Sequence, residues 1–538
     1  MKKKFLVFIL LIVVLMVSFA CHGTKATEVE KEKATFTVPS EFDETREYEI
    51  EFLMKNDGFR TQKEEMEKTI ARFNEYYPNI HIKISNKSDY NIVYQTIITN
   101  IPTNTTPNVC VVYPDYIATF NEGDNIVVPL DNLLSDSNYG LGGSEIKYPA
   151  IQREDLFENY LNELVIDNTQ YGIPFMRSSE ALYINKTMYD ELGLTMPDEF
   201  TWDDLWEACR VAKAKHPEKN FIPFIYKSTD NMFIQLARQM GINYTNDDGD
   251  ILLFNDDTKA LLLDLQKKYQ EGLYDTFKNV SYPGESMNEG NTLLCIDSTA
   301  GATWIGTYCT SSDHDGEKIE YETVVKRVPQ VDLSNPQMIS QGPSVCIFNK
   351  DDPQVVLASW IFAQYLLNEE TQVNYSQSEG YIPVNKKAIE STSYQEYINN
   401  PNSKPITKQE KVYYDVKINA SKLIIDNIDN TFITPVFNGS SMVRKASGDL
   451  IERVVYDVLT KNTKLNDSDY IDGVYSIVIE QNKLEIDTHK ISKELPAGSK
   501  ALIIGLVVVW FALGGIYVFN FVKNKKNNAN IGKNKNNK

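Results

Sequence analysis

YGIPFMRSSEALYINKTMYDELGL, residues 171–194, reads as apolar, strand-like sequence interrupted by Arg177, Ser178 and Ser179. Something polar must be held there, because buried polar groups without partners are costly. Downstream, Ala181 to Ile184 continue as a strand and lead into a helix. Thr201 and Asp204, three residues apart, then form a capping box for the helix WDDLWEACRVAKAK. Trp202 and Trp206 share one face of that helix and are read as packing.

Upstream, Tyr48, Ile50, Phe52 and Met54 alternate, Met66, Ile70 and Phe73 recur at helical spacing, and Ile80, Ile82 and Ile84 alternate again. Strand, helix, strand is the beginning of an α/β lobe. The run Val109 to Tyr113 has no polar face, as expected of a strand covered on both sides, and it stops at Pro114. A chain of 538 residues with 42% hydrophobic content has room for two or three such domains.

Both ends carry attachments. Lys2, Lys3 and Lys4 precede an apolar run from Phe5 to Val17, then Ser18, Phe19, Ala20 and Cys21, so residues 1–21 read as an export signal. A small residue before Cys21 resembles a lipoprotein signal, with Cys21 as the acylated anchor; Ser18 and Phe19 depart from that pattern and leave an uncleaved anchor as the alternative. At the other end, Ala501 to Val522 carry no charge, enough length to cross a hydrocarbon core of about 30 Å. Residues 501–522 are expected to span the membrane, with 523–538 as a basic cytoplasmic tail and the body outside. Leu495, Pro496, Ala497 and Gly498 resemble a sortase signal but lack its threonine, so membrane retention is favoured over cell-wall sorting.

The net charge is −20, and nine of the lysines sit in the two terminal attachments, which leaves the body more acidic still. No basic stripe is present, so nucleic acid is not an expected partner. Apart from Cys21, the cysteines are Cys110, Cys209, Cys295, Cys309 and Cys346, an odd set without CxxC spacing. A disulfide framework is not expected, and all but Cys309 lie in apolar runs where a thiol acts as a small hydrophobe. Five scattered histidines offer no metal spacing, and NDDGDILLFNDD (246–257) lacks the ligand pattern of a calcium loop and reads as a polar hairpin. No metal, cofactor or catalytic residue is expected. The rival readings are an anchored extracellular carbohydrate-active enzyme, for which no nucleophile elbow or zinc motif appears, and a surface adhesin.

The quoted stretch and the FTWDDLWEAC helix together resemble the extracellular solute-binding proteins of ABC importers, in the family that takes up sugars and sugar-like solutes. MNEGNTLLCIDSTAGATW, MISQGPSVCIF, SEGYIPVNKKA and FNGSSMVRKASGDLIERVV continue the likeness in order, from about residue 48 to 470. The resemblance implies a two-lobed, periplasmic-binding-protein-like α/β fold of type II, with a hinge, an interlobe cleft and, here, a C-terminal transmembrane helix. It places an N-terminal lobe at 45–173 and 342–380, a C-terminal lobe at 174–341 and 381–470, and a linker at 471–500. It also implies a monomer at the membrane, serving ABC permease subunits.

Within the family, the glycerol-3-phosphate binding branch is the nearest likeness. On that resemblance the cleft residues are Tyr90, Ser178, Ser298, Gly342, Tyr381 and Arg444, with Arg177 and Ser179 beside Ser178. Where that branch has a glutamate after its buried strand, this chain has Pro114 and then Asp115, so a differently shaped pocket is implied. Trp304 falls where sugar-binding relatives place an aromatic platform. Two ligand classes stay open: a polyol phosphate, suited by Ser178, Ser298 and Arg444, and a sugar, suited by Tyr90, Trp304 and Tyr381.

Overall fold

The computed structural model describes residues 34–484 except 57–59, 122–125, 218–219, 247, 281, 307, 310–318, 400–407 and 462–467. The first lobe begins with β1 (Tyr48–Lys55), α1 (Arg60–Tyr76), β2 (Ile80–Lys87), α2 (Tyr90–Asn100), β3 (Val109–Val112) and α3 (Pro114–Phe120). The chain then crosses through β4 (Ile173–Pro174) and β5 (Met176–Arg177) into β6 (Glu180–Asn185). The second lobe adds α4 (Trp202–Lys215), β7 (Phe224–Tyr226), α5 (Thr229–Met240), α6 (Asp256–Gln270), β8 (Tyr274–Thr276), β9 (Leu294–Ser298) and β10 (Thr323–Arg327). A return through β11 (Met338–Ile339) leads to β12 (Ser344–Ile347), α7 (Pro353–Tyr365), α8 (Glu369–Ser376) and β13 (Ile382–Pro383). The last described elements are α9 (Lys408–Ile425), β14 (Thr431–Phe432), α10 (Ser440–Leu459) and α11 (Ser468–Asn482).

The two five-stranded sheets repeat one plan. The first runs β2-β1-β3-β12-β4 and the second β8-β7-β9-β6-β10. In each, three parallel strands are followed by one antiparallel strand that has just arrived from the other lobe: β12 against β3, and β6 against β9. The second sheet lies wholly within residues 180–327, whereas the first takes β12 from chain that returns after it, so the chain crosses between the lobes more than once at a hinge.

Burial explains the all-apolar strands. Along β3, Val109 and Val111 face one core while Cys110 and Val112 face another. Along β6, Leu182 and Ile184 face the main second-lobe core while Ala181 and Tyr183 face a smaller one completed by Val416 and Ala420 of α9. A strand covered on both sides has no reason to alternate in polarity. The capping box is present, with the Thr201 amide donating to Asp204 Oδ2 at 2.9 Å and the Asp204 amide to Thr201 Oγ1 at 3.1 Å. Trp202 and Trp206 stack at 6.1 Å inside the core. The 246–257 stretch turns at Gly249, φ +82°, with a β-bridge between Thr245 and Ile251.

Two expected boundaries move. The linker was expected from 471, yet α11 is helical and buries Ile471, Val474, Tyr475 and Val478 in the second core, because those residues recur at i, i+3, i+4 and i+7. The second lobe was expected to resume at 381, yet Tyr381 and Val384 belong to the first core, and Ala388 and Tyr394 pack with Val373 of α8. Cys21 and the 501–522 segment lie outside the described residues. Among the described residues, no helix is long and apolar enough to cross a membrane.

Candidate functional site

The residues that interrupt the opening stretch hold the hinge. Arg177 is 0% exposed. Its Nη2 donates to Glu163 Oε2 at 2.5 Å and its Nη1 to the Gly342 carbonyl at 3.0 Å, while its guanidinium lies 4.9 Å from the Tyr160 ring centroid. Ser178 and Gln341 exchange both backbone hydrogen bonds, at 2.7 and 2.9 Å. The Ser179 hydroxyl donates to the Ile339 carbonyl at 2.8 Å. Arg177, Ser178 and Ser179 therefore tie one crossing segment to the next. The polar partner that the sequence demanded is the backbone of residues 339–342. Burial pushes the Glu163 carboxyl above its ordinary range, and the Arg177 charge opposes that.

Gly342 serves the same crossing. A Cβ there would stand 2.0 Å from the Met176 carbonyl oxygen, at φ +156°, so only glycine lets the segments pass. Gly380 repeats the device, since its Cβ would stand 1.9 Å from the carbonyl oxygen of Thr299 on the other lobe.

The cleft forms where the carboxyl ends of both sets of parallel strands meet, the usual position of ligands in open α/β sheets. On the first lobe, β1 ends at Lys55, Tyr90 opens α2, and Tyr113 and Asp115 follow β3. The Tyr90 and Tyr113 rings lie 4.5 Å apart, and Lys55 Nζ lies 5.7 Å from the Tyr90 ring centroid. Tyr381 hydrogen-bonds to Tyr90, and burial raises both phenols. Glu379 is buried close enough to act electrostatically on Tyr90, Tyr113 and Tyr381.

On the second lobe, Lys227 follows β7 and pairs with Asp297 of β9 at 2.8 Å. Asp230 and Asn231 lie in the first turn of α5 and hold Arg444 from the second turn of α10. Arg444 Nε donates to Asp230 Oδ2 at 2.8 Å and Nη2 to Asn231 Oδ1. Asn231 Nδ2 donates in turn to Glu180 Oε1 at 2.8 Å, and the Tyr226 hydroxyl donates to Glu180 Oε2. Burial pushes Glu180 up to about 8.

The two walls interact. Burial raises the Asp115 carboxyl, and Arg444 from the opposite lobe lowers it while Asp230 adds to the rise. Burial would lower the Arg444 guanidinium, but Asp230 and Asp115 outweigh it, so Arg444 stays charged. Burial raises Tyr113, and Lys55, Arg444 and Lys227 counter it. Thr119 Oγ1 of α3 and Ser441 Oγ of α10 meet directly at 3.2 Å.

Of the residues singled out in the sequence, Tyr90, Asp115, Tyr381 and Arg444 are brought together here. Ser298 ends β9 and caps the turn 299–304, its Oγ accepting the Ala300 amide at 3.2 Å. Trp304 ends that turn, 56% exposed. Arg177, Ser178 and Gly342 belong to the hinge. Tyr113, Lys227, Asp230, Asn231, Asp297 and Glu379 were not foreseen. Their common signal is position, since most follow directly on a strand or open a helix at the cleft edge. Among the described residues, no group of three or more His, Cys, Asp or Glu could hold a metal ion.

The arrangement presents two cations paired with carboxylates, Arg444 with Asp230 and Lys227 with Asp297, beside tyrosine rings and hydroxyls. Such a surface both accepts and donates hydrogen bonds.

Comparison with known proteins agrees with the geometry. The multiple sugar-binding protein of Streptococcus mutans is 24% identical over 227 residues, 41% of this chain and 43% of its own length, so the alignment spans under half of that relative. Among solved structures, an ABC substrate-binding protein of Listeria monocytogenes in complex with cycloalternan aligns with TM-score 0.60 at 14% identity, over 82% of this chain and 100% of that one. UgpB of Mycobacterium tuberculosis in complex with glycerophosphocholine aligns with TM-score 0.59 at 16% identity, over 81% and 99%. These likenesses establish the two-lobed fold. Residues 68–402 match the bacterial extracellular solute-binding protein family, and the chain belongs to that family.

Proposed function

We propose that the protein captures a neutral sugar or short oligosaccharide between its lobes and delivers it to the membrane permease of an ABC importer, by closure and without turnover. The observation that carries this reading is the charge pairing of the cleft. Arg444, the residue most suited to a phosphate, is already held by Asp230 and faces Asp115, and Lys227 is held by Asp297. A phosphate entering here would meet Asp115, Asp230, Asp297 and Glu379. A sugar hydroxyl donates to a carboxylate and accepts from a guanidinium at once, and sugar rings stack on tyrosines. Tyr90, Tyr113, Tyr381, Asp115, Asp230, Arg444, Lys227 and Ser298 are the residues we assign to binding, with Trp304 at the end of the 299–304 turn assigned to a longer ligand. The sugar-binding name of the Streptococcus mutans relative supports the same class. The glycerol-3-phosphate branch suggested by the motifs is the competing fine reading.

An export signal ending at Cys21 and a membrane span at 501–522 would hold the body beside its permease as a monomer, raising the effective concentration without tight affinity. Isothermal titration decides the ligand class. Neutral di- to tetrasaccharides should bind, and glycerol-3-phosphate should not. Binding of glycerol-3-phosphate alone, weakened about ten- to a hundredfold by Arg444→Ala, would overturn the neutral-sugar reading.

A further inference from the structure

Cys110 and Cys346 are direct partners across the antiparallel β3–β12 pair. Both are buried, and both face the same apolar cluster beneath α2 and α3. Residues opposed in this way lie about 4.5–5.5 Å apart from Cα to Cα, and a disulfide usually spans about 4.4–6.8 Å. The backbone thus already has the required separation. In this structure both are free thiols. Cys295 faces the Met287 sulfur at 3.0 Å, and Cys209 sits on α4 in the core of the other lobe.

We propose that Cys110 and Cys346 form a disulfide when the exported chain folds, through exchange with a disulfide-bearing oxidant. One cysteine thiolate attacks a sulfur of the oxidant's disulfide and releases one oxidant thiolate, giving a mixed disulfide. The second cysteine thiolate displaces the other oxidant sulfur. The protein loses two protons and two electrons, and the oxidant disulfide becomes two thiols. The exchange belongs to folding, before the sheet closes, because the native pair is out of solvent. Burial raises the Cys110 thiol well above its ordinary range, which keeps that thiol unreactive in the unlinked native protein.

The link would join the strand that returns from the hinge to the strand whose end carries Tyr113 and Asp115. It would also close a loop containing the second-lobe sheet, and cross-links over long loops constrain the unfolded chain most.

The test is peptide mapping of the full-length protein exported into an oxidising compartment, denatured in an excess of alkylating reagent without reductant. Trypsin leaves Cys110 in the peptide 88–147 and Cys346 in 328–350, each with no other cysteine. The expected product joins those two peptides, two hydrogens lighter than their sum, while Cys209 and Cys295 carry the alkyl group. Reductant should also lower the melting midpoint by at least about 3 °C in the wild type and not in Cys110→Ser. Alkyl groups on both Cys110 and Cys346 in the exported protein would overturn the proposal, as would a link from either to a different cysteine.

Discussion

Arg177 shows how little a polar residue in an apolar run says about its partner. Read along the chain, an arginine before two serines at the end of a strand is equally suited to a ligand and to a hinge. The hinge contact is made with residues 339–342, more than 160 positions away, and no local periodicity encodes it. Its energetic weight follows from burial. Arg177→Ala would leave the Glu163 carboxylate buried without its charge partner, a loss of about 3–5 kcal/mol, whereas Arg177→Met with Glu163→Leu should recover much of it. Urea unfolding of the two variants measures this, and a single-variant loss under about 1 kcal/mol would mean that the pair does not hold the hinge. Glu180 yields a pH prediction. Its value of about 8 in the folded protein stands above the ordinary 4.5, so folding favours its protonated form. The resulting penalty is absent below about pH 4.5, grows as pH rises through that window, and is complete above about pH 8. Glu180→Gln keeps the shape without the ionisation, so its stability relative to wild type should be higher at about pH 9 than at about pH 5. Equal differences at the two pH values would show that Glu180 does not titrate in that range.

At the scale of elements, what was legible had length and period. β1, α1, β2 and β3 follow the alternation and helical spacing of their residues, and α4 begins at its capping box. The hinge strands β4, β5, β11, β13 and β14 have two residues each, too short for any period to register, and their pairing is set by distant chain. The same brevity hid the placement of Tyr381 in the first core. The buried face of α11 is legible as well, since Ile471, Val474, Tyr475 and Val478 have the spacing of one helical face. That face gives a direct test of whether the second lobe extends past 470. Ile471 is 0% exposed, so Ile471→Ala should cost about 2–5 kcal/mol in chemical unfolding, through lost burial and the cavity left behind. A loss below about 0.5 kcal/mol is what a solvated linker would give.

Across the whole molecule, the two lobes face each other with complementary charge at Asp115 and Arg444, around a hinge that only glycine at 342 and 380 allows to pass so closely. Closure on a neutral ligand would remove water from pairs that already exist, so the ligand need not supply a charge to draw the lobes together. That separates the two ligand classes by salt dependence. Attraction between a dianion and the cleft cations would be screened as the Debye length falls from about 10 Å at 0.1 M salt to about 3 Å at 1 M. Hydrogen bonds to sugar hydroxyls and stacking on Tyr90 and Tyr113 are not screened in that way. The affinity for a neutral saccharide should therefore change less than about threefold between 0.1 and 1 M salt, whereas an anionic ligand should weaken by more than about tenfold. Small-angle scattering on the same samples should show a smaller radius of gyration at saturating saccharide, as expected for hinge closure around a ligand. A salt-insensitive affinity with no compaction would leave a binding site but exclude closure, and a steep salt dependence would return the cleft to the phosphate class.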